Sequence, residues 1–142
     1  MQSEKIITKI QQLNTETIEK LSKKLNQIEG VLVKIESRIS KTETSGLNVE
    51  AVKKEVENAK NTIKETRDIL AKQSQKTYAI NQTATEETLK TEIKAVRDSF
   101  SKDTRATYDA VKKAHESVRN VATTLAKVPR ADDNPIQTET QT

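Results

Sequence analysis

Apolar residues fall along this chain in three stripes spaced alternately by three and four residues. The first runs Ile18, Leu21, Leu25, Ile28, Leu32, Ile35 and Ile39. This is three heptads with an apolar residue at both core positions, the seam of a left-handed coiled coil. Upstream, Ile6, Ile7, Ile10 and Leu13 continue it with one slip in phase. The second stripe runs Val49, Val52, Val56, Ala59, Ile63, Thr66, Leu70 and Gln73. The third runs Leu89, Ile93, Val96, Phe100, Thr104, Thr107, Val111, Ala114, Val118, Val121, Leu125 and Val128, with one longer step at Phe100–Thr104 that relaxes the supercoil locally. The pattern predicts helices over about 3–44, 48–80 and 85–128.

The first boundary is sharply written. Gly46 suits the left-handed residue that ends a helix, and Asn48 is a favoured N-cap. Leu47 and Val52 have the spacing of a hydrophobic staple. The second boundary lacks Gly and Pro. Thr83 with Glu86 offers a capping box there and Thr85 an alternative cap. A single helix from 48 to 128 is the competing reading, and a turn near Asn81–Ala84 is preferred. Folding about a point beside Gly46 sets Ile39 opposite Val52, Leu32 opposite Ala59 and Ile18 opposite Gln73. Folding about position 83 sets Gln73 opposite Ile93, Thr66 opposite Phe100 and Val52 opposite Ala114. The expectation is an all-α fold, an elongated antiparallel three-helix bundle over residues 1–128. The Thr/Gln-rich stretch 129–142 holds both prolines and is expected to be a disordered tail.

Composition limits the core. Val, Ile, Leu and Phe make up 31 of 142 residues, just above the ~20 % below which charged chains stay disordered. The core is therefore one side chain deep. Thr66, Gln73, Thr104 and Thr107 weaken it further, and isolated polar seam residues of this kind set register. Gly30 reads as a tolerated mid-helix glycine. Zero Cys removes disulfides and thiolate chemistry. No segment approaches a membrane span, and no signal peptide is visible.

No constellation of residues points to an enzyme, a cofactor, a metal or a small-molecule substrate. The single histidine, His115, follows the seam residue Ala114 and is expected at the edge of the core. A solvated or half-packed residue is the first reading of it, and a pH sensor the second. Asp98, Asp103, Asp109 and Glu116 read as solvated counterions for Arg97, Lys102, Arg105 and Lys112. The net charge of +4 is spread over all three helices, and three aromatic residues make no stacking platform. Nucleic acid is therefore disfavoured as a partner. A membrane surface is a stronger alternative, because Lys-rich amphipathic helices can open onto lipid. Narrow seams without an aromatic insertion edge argue for closure of the helices on each other.

The two pivots leave apolar residues unpaired. Ile6, Ile7 and Ile10 project past the second turn, and Val121, Leu125 and Val128 project past the Gly46 turn. Such ends fit self-association or the docking of a protein partner. Fraying of the ends is the competing reading. The expected role is a non-enzymatic structural or interaction module: a helical spacer, adaptor or self-assembling surface component.

Three stretches, Ile35-Glu36-Ser37-Arg38-Ile39-Ser40-Lys41, Gly46-Leu47-Asn48 with Val56, Ala59, Lys60 and Ile63, and Val111-Lys112-Lys113-Ala114-His115-Glu116-Ser117-Val118, resemble uncharacterised helical envelope or secreted proteins of candidate-phyla bacteria. The resemblance spans roughly residues 28–128. It implies export to the cell envelope rather than a cytoplasmic location, and no activity or functional residue.

Overall fold

The computed structural model describes residues 2–80 and 85–128. Three helices account for its regular structure: α1 (Gln2–Thr44), α2 (Glu50–Gln75) and α3 (Glu86–Ala126). The fold is an all-α three-helix bundle. It comprises two compact units, and each helix contributes a segment to both. One unit gathers the described residues up to Lys24 with Glu65–Lys112, and the other Leu25–Lys64 with those from Lys113 onward. The expected tail, 129–142, lies outside the described residues.

The stripes become the core. Leu21, Leu25, Ile28, Leu32, Ile35 and Ile39 of α1 are buried, as are Val52, Val56, Ala59, Ile63 and Leu70 of α2 and Val111, Ala114, Val118 and Val121 of α3. In the first unit the stripe of α1 continues upstream through Ile10 and Asn14, both buried, to Ile18. The phase slip is thus two four-residue steps through Asn14, which leaves Leu13 on the surface at 37 % exposure. A polar residue holds the core position and its apolar neighbour does not.

The turn between α1 and α2 forms as expected. Gly46 adopts φ 88°. Its N–H donates to the Glu43 carbonyl at 2.9 Å and the Leu47 N–H to that of Thr42 at 3.3 Å, the paired bonds of a Schellman motif. Asn48 Oδ1 accepts from the Glu50 N–H at 3.0 Å, and Lys53 N–H closes the first turn of α2 on the Val49 carbonyl at 2.9 Å. In the second unit Lys53 pairs with Glu43 at 2.6 Å and Lys60 with Glu36 at 3.1 Å, the order of an antiparallel pair folded beside Gly46. At this exposure such pairs add little stability.

Three features define the second boundary, of which the end of α2 and the register depart from expectation and the cap is the expected alternative. Helix α2 ends at Gln75 instead of continuing to 80, and its last turn tightens with Lys76 N–H on the Gln73 carbonyl at 3.2 Å. In a continued helix Tyr78 would point about 140° away from Gln73. Leaving the helix lets its ring bury against α3. Second, Thr85 caps α3: its Oγ1 accepts from the Thr88 N–H at 3.2 Å, and its carbonyl accepts from the Leu89 N–H at 2.7 Å. The other candidate, Thr83, and most of the expected turn Asn81–Ala84 lie outside the described residues. The helices are separate, since residues 76–80 and Thr85 are not helical.

Third, the register of α2 on α3 is displaced. Thr66 Oγ1 donates to the carbonyl of Ala110 at 3.2 Å, ten positions further along than the expected Phe100, or about 15 Å of helix. In the second unit Val121 and Leu125, expected to project past the Gly46 turn, are buried, at 0 % and 8 % exposure.

Both glycines carry a testable consequence. Gly30 sits mid-helix with nothing within 4 Å of an added Cβ, so Gly30→Ala is expected to raise stability by about 0.5–1 kcal/mol. Space is equally open at Gly46, but its positive φ penalises any side chain, so Gly46→Ala is expected to lower stability by about 1 kcal/mol. Urea unfolding midpoints followed by far-UV circular dichroism check both signs.

Candidate functional site

The first unit concentrates the buried polar groups at one place. Asn14 of α1 and Gln73 of α2 hold each other: Asn14 Nδ2 donates to the Gln73 carbonyl at 2.9 Å, and Gln73 Nε2 donates to Asn14 Oδ1 at 3.0 Å. Gln73 Nε2 also donates to the Tyr78 hydroxyl at 2.9 Å. That hydroxyl donates in turn to Asp103 Oδ2 of α3 at 2.6 Å. Lys76 Nζ reaches the same carboxylate oxygen at 2.5 Å and lies 5.7 Å from the centre of the Tyr78 ring. The ring meets Phe100 edge to face, centroids 5.5 Å apart at 85°. The chain Asn14–Gln73–Tyr78–Asp103–Lys76 therefore ties together all three helices and the segment after α2.

Electrostatics hold this junction in one protonation state. Burial first, and then the hydrogen bond to Asp103, push the Tyr78 hydroxyl up to about 12, against an opposing hydrogen bond from Gln73. Burial acts upward on Asp103 too, but the hydrogen bonds from Lys76 and Tyr78 outweigh it and hold the carboxyl below its ordinary value. A neutral tyrosine donating to an ionised carboxylate is a fastener, with neither a free base nor an activated nucleophile at neutral pH.

Sequence reasoning overlooked Asn14 and Tyr78, and it placed Asp103 wrongly. The reading of Asp103 as a solvated counterion is corrected here: its side chain is 20 % exposed and its partners are Lys76 and Tyr78. Asp98 does pair on the surface, with Lys94 at 3.3 Å. The signal for Asn14 was present, because steps of four from Ile10 and to Ile18 both land on it. His115 is exposed rather than at the core edge, one residue beyond the buried Ala114.

The six residues proposed as projecting apolar ends separate into two groups. Ile10, Val121 and Leu125 are buried, which corrects the expectation that they project. Ile6, Ile7 and Val128 are half-buried. Beside Ile7 an open groove of about 290 Å³ is lined by Ser3, Glu4 and Thr8 of α1 and by Tyr78, Ala79 and Ile80. In the second unit a groove of about 250 Å³ runs between α1 and α2 over Ile39 and Val56, among the residues of the Glu36–Lys60 and Glu43–Lys53 pairs. Among the described residues no cluster of three or more His, Cys, Asp or Glu could hold a metal ion, and no helix is long and apolar enough to cross a membrane.

No family model, curated protein or solved structure matches this chain.

The junction makes two measurable predictions. Tyr78→Phe is expected to cost about 1–3 kcal/mol, because Asp103 and Gln73 each lose a buried partner while the packing on Phe100 remains. Tyr78 titrates above the ordinary tyrosine value of 10, so its contribution is whole below about pH 10 and is lost as the pH rises through about 12. In a Tyr108→Phe chain, where Tyr78 is the lone tyrosine, ultraviolet titration of the folded protein is expected to show a midpoint near 12. A midpoint near 10 contradicts the burial and bonding described.

Proposed function

We propose that the chain is a non-enzymatic structural or interaction module, a helical bundle that serves as spacer, adaptor or self-assembling component. The observation that supports this is the mutual commitment of its buried polar groups. Asn14, Gln73, Tyr78 and Asp103 spend their hydrogen bonds on one another. The apolar stripes close on themselves instead of lining a ligand cavity. Burial of this kind supplies shape and stability, and it leaves partner binding to the outer surface.

Reversible lipid binding and nucleic-acid binding are the competing outcomes, and two assays separate them from the proposal. At physiological salt the full chain is expected to stay in the supernatant when anionic phosphatidylserine vesicles are sedimented. Retention on immobilised duplex DNA is expected to be negligible and without a steep salt dependence. Co-sedimentation with a gain or loss of helicity overturns the proposal in favour of lipid binding. Strong DNA retention that collapses with salt overturns it in favour of nucleic acid.

A further inference from the structure

The two flanks of the α1 core stripe differ in sign. The flank one residue beyond the core positions carries Glu36 and Glu43, which pair with Lys60 and Lys53 of α2 in the second unit. The flank one residue before them carries Leu13, Lys20 and Lys24 in the first unit, all exposed. Lys20 Nζ lies 5.9 Å from the centre of the Tyr108 ring, so this flank faces α3. The α3 flank that meets it carries Arg105, Tyr108 and Lys112, exposed as well. Neither flank holds a carboxylate from Leu13 to Lys24 or from Ser101 to Lys112. Glu16 and Asp109 stand further round their helices, on the outward faces. Glu16 already accepts from Gln12, Asp98 from Lys94 and Asp103 from Lys76. At an equal rise per residue the Lys20–Tyr108 contact sets Lys24 level with Lys112 across the groove between α1 and α3. The Asn14–Gln73–Tyr78–Asp103 chain gives the same level to within one residue. Among the described residues Lys24, Arg105 and Lys112 have no acidic partner. Like charges facing each other cost a helix pair stability, so the chain alone gains nothing from this arrangement.

We infer that this groove of the first unit, marked by Leu13, Lys20, Lys24, Arg105, Tyr108 and Lys112, is the docking site for an acidic amphipathic helix of a partner protein. The inference rests on the interaction-module reading and names the chemistry of the partner. Charge complementarity carries it: carboxylates laid between Lys24 and Lys112 turn a repulsion into attraction on both sides. Two parallel helices leave a straight trough that a third helix fits. Cations at heptad spacing along that trough match acids repeated every three or four residues on the incoming helix. Leu13 and Tyr108, 37 % and 42 % exposed, give the same helix apolar contacts among the cations. Tyrosine and arginine are also the residues on which interface energy concentrates. A phosphate backbone answers the cations and leaves Leu13 unused, and a lipid surface finds no aromatic edge to admit.

Fluorescence anisotropy with the full chain at physiological salt tests this. The probe is a labelled synthetic helix with leucine at its core heptad positions and glutamate beside them, and a scrambled peptide of equal composition is the control. The amphipathic peptide is expected to bind at micromolar concentrations, about tenfold more tightly than the scrambled one. Arg105→Glu with Lys112→Glu is expected to weaken binding by about tenfold or more. Lys54→Glu with Lys127→Glu, the same change of charge at exposed sites of the other unit, is expected to leave binding as it was. Lys24→Glu is expected to move two readings in opposite directions: the urea midpoint of the chain alone rises, and peptide affinity falls. If the double variant at the groove loses its fold, a nitroxide on the peptide decides the matter, since it is expected to broaden the amide signals of Lys20, Lys24 and Tyr108 in the unaltered chain. No binding at high micromolar concentration overturns the inference, as does equal binding of the scrambled peptide or equal loss in the control variant. Self-association that the groove variant abolishes overturns it in favour of a second copy. Failure of the peptide alone leaves the module reading intact, because that reading stands or falls on the vesicle and DNA assays.

Discussion

A stripe that repeats every three or four residues matches its neighbour at several offsets, so burial alone cannot decide how far one helix slides along another. In this protein the decision falls to hydrogen bonds. Thr66 on the Ala110 carbonyl and Tyr78 on Asp103 fix α3 against α2, and the reciprocal Asn14–Gln73 pair fixes α1. Each bond adds only about 1 kcal/mol when made, but leaving its groups buried without partners costs more, and that asymmetry excludes the other offsets. The polar residues along the seam are therefore what make one arrangement preferable to its near equivalents. With so little apolar material in the chain, the core could not have done this by shape.

This division of labour explains what the amino-acid sequence disclosed. The three helices, the turn at Gly46 and the capping role of Asn48 all follow from local chemistry, and all were legible. So was the pairing of α1 with α2 beside the turn, because the five residues 45–49 leave little freedom to slide. The register of α3 was not legible. A ten-residue connection has that freedom, and the heptad pattern meets itself again after every such slide. Of the junction, Gln73 was foreseen as a seam residue. Asn14 was passed over because the eye follows apolar neighbours, and Tyr78 because it was assigned to a helix that had already ended. Asp103 looked like any charge on a helix surface until the residue that bonds to it was placed.

In the first unit the displaced register of α2 on α3 leaves Leu89, Ile93 and Val96 half-buried. A helix of fixed length cannot be covered at both extremes by a shorter neighbour, and α3 has 41 residues against 26 in α2. Sliding only chooses which extreme is left open. Hydrogen bonding at Asp103 and Ala110, about midway along α3, makes that choice here, so the cover over its first turns is set by polar groups a few turns away.

Tyr78 and Asp103 cannot drift independently through mutation. Losing the hydroxyl alone leaves the half-buried carboxylate to Lys76 only, and losing the carboxylate alone takes the acceptor from a buried phenol. A lineage leaving this arrangement passes through a less stable intermediate unless both positions change together. Inheritance at these two positions should therefore be linked.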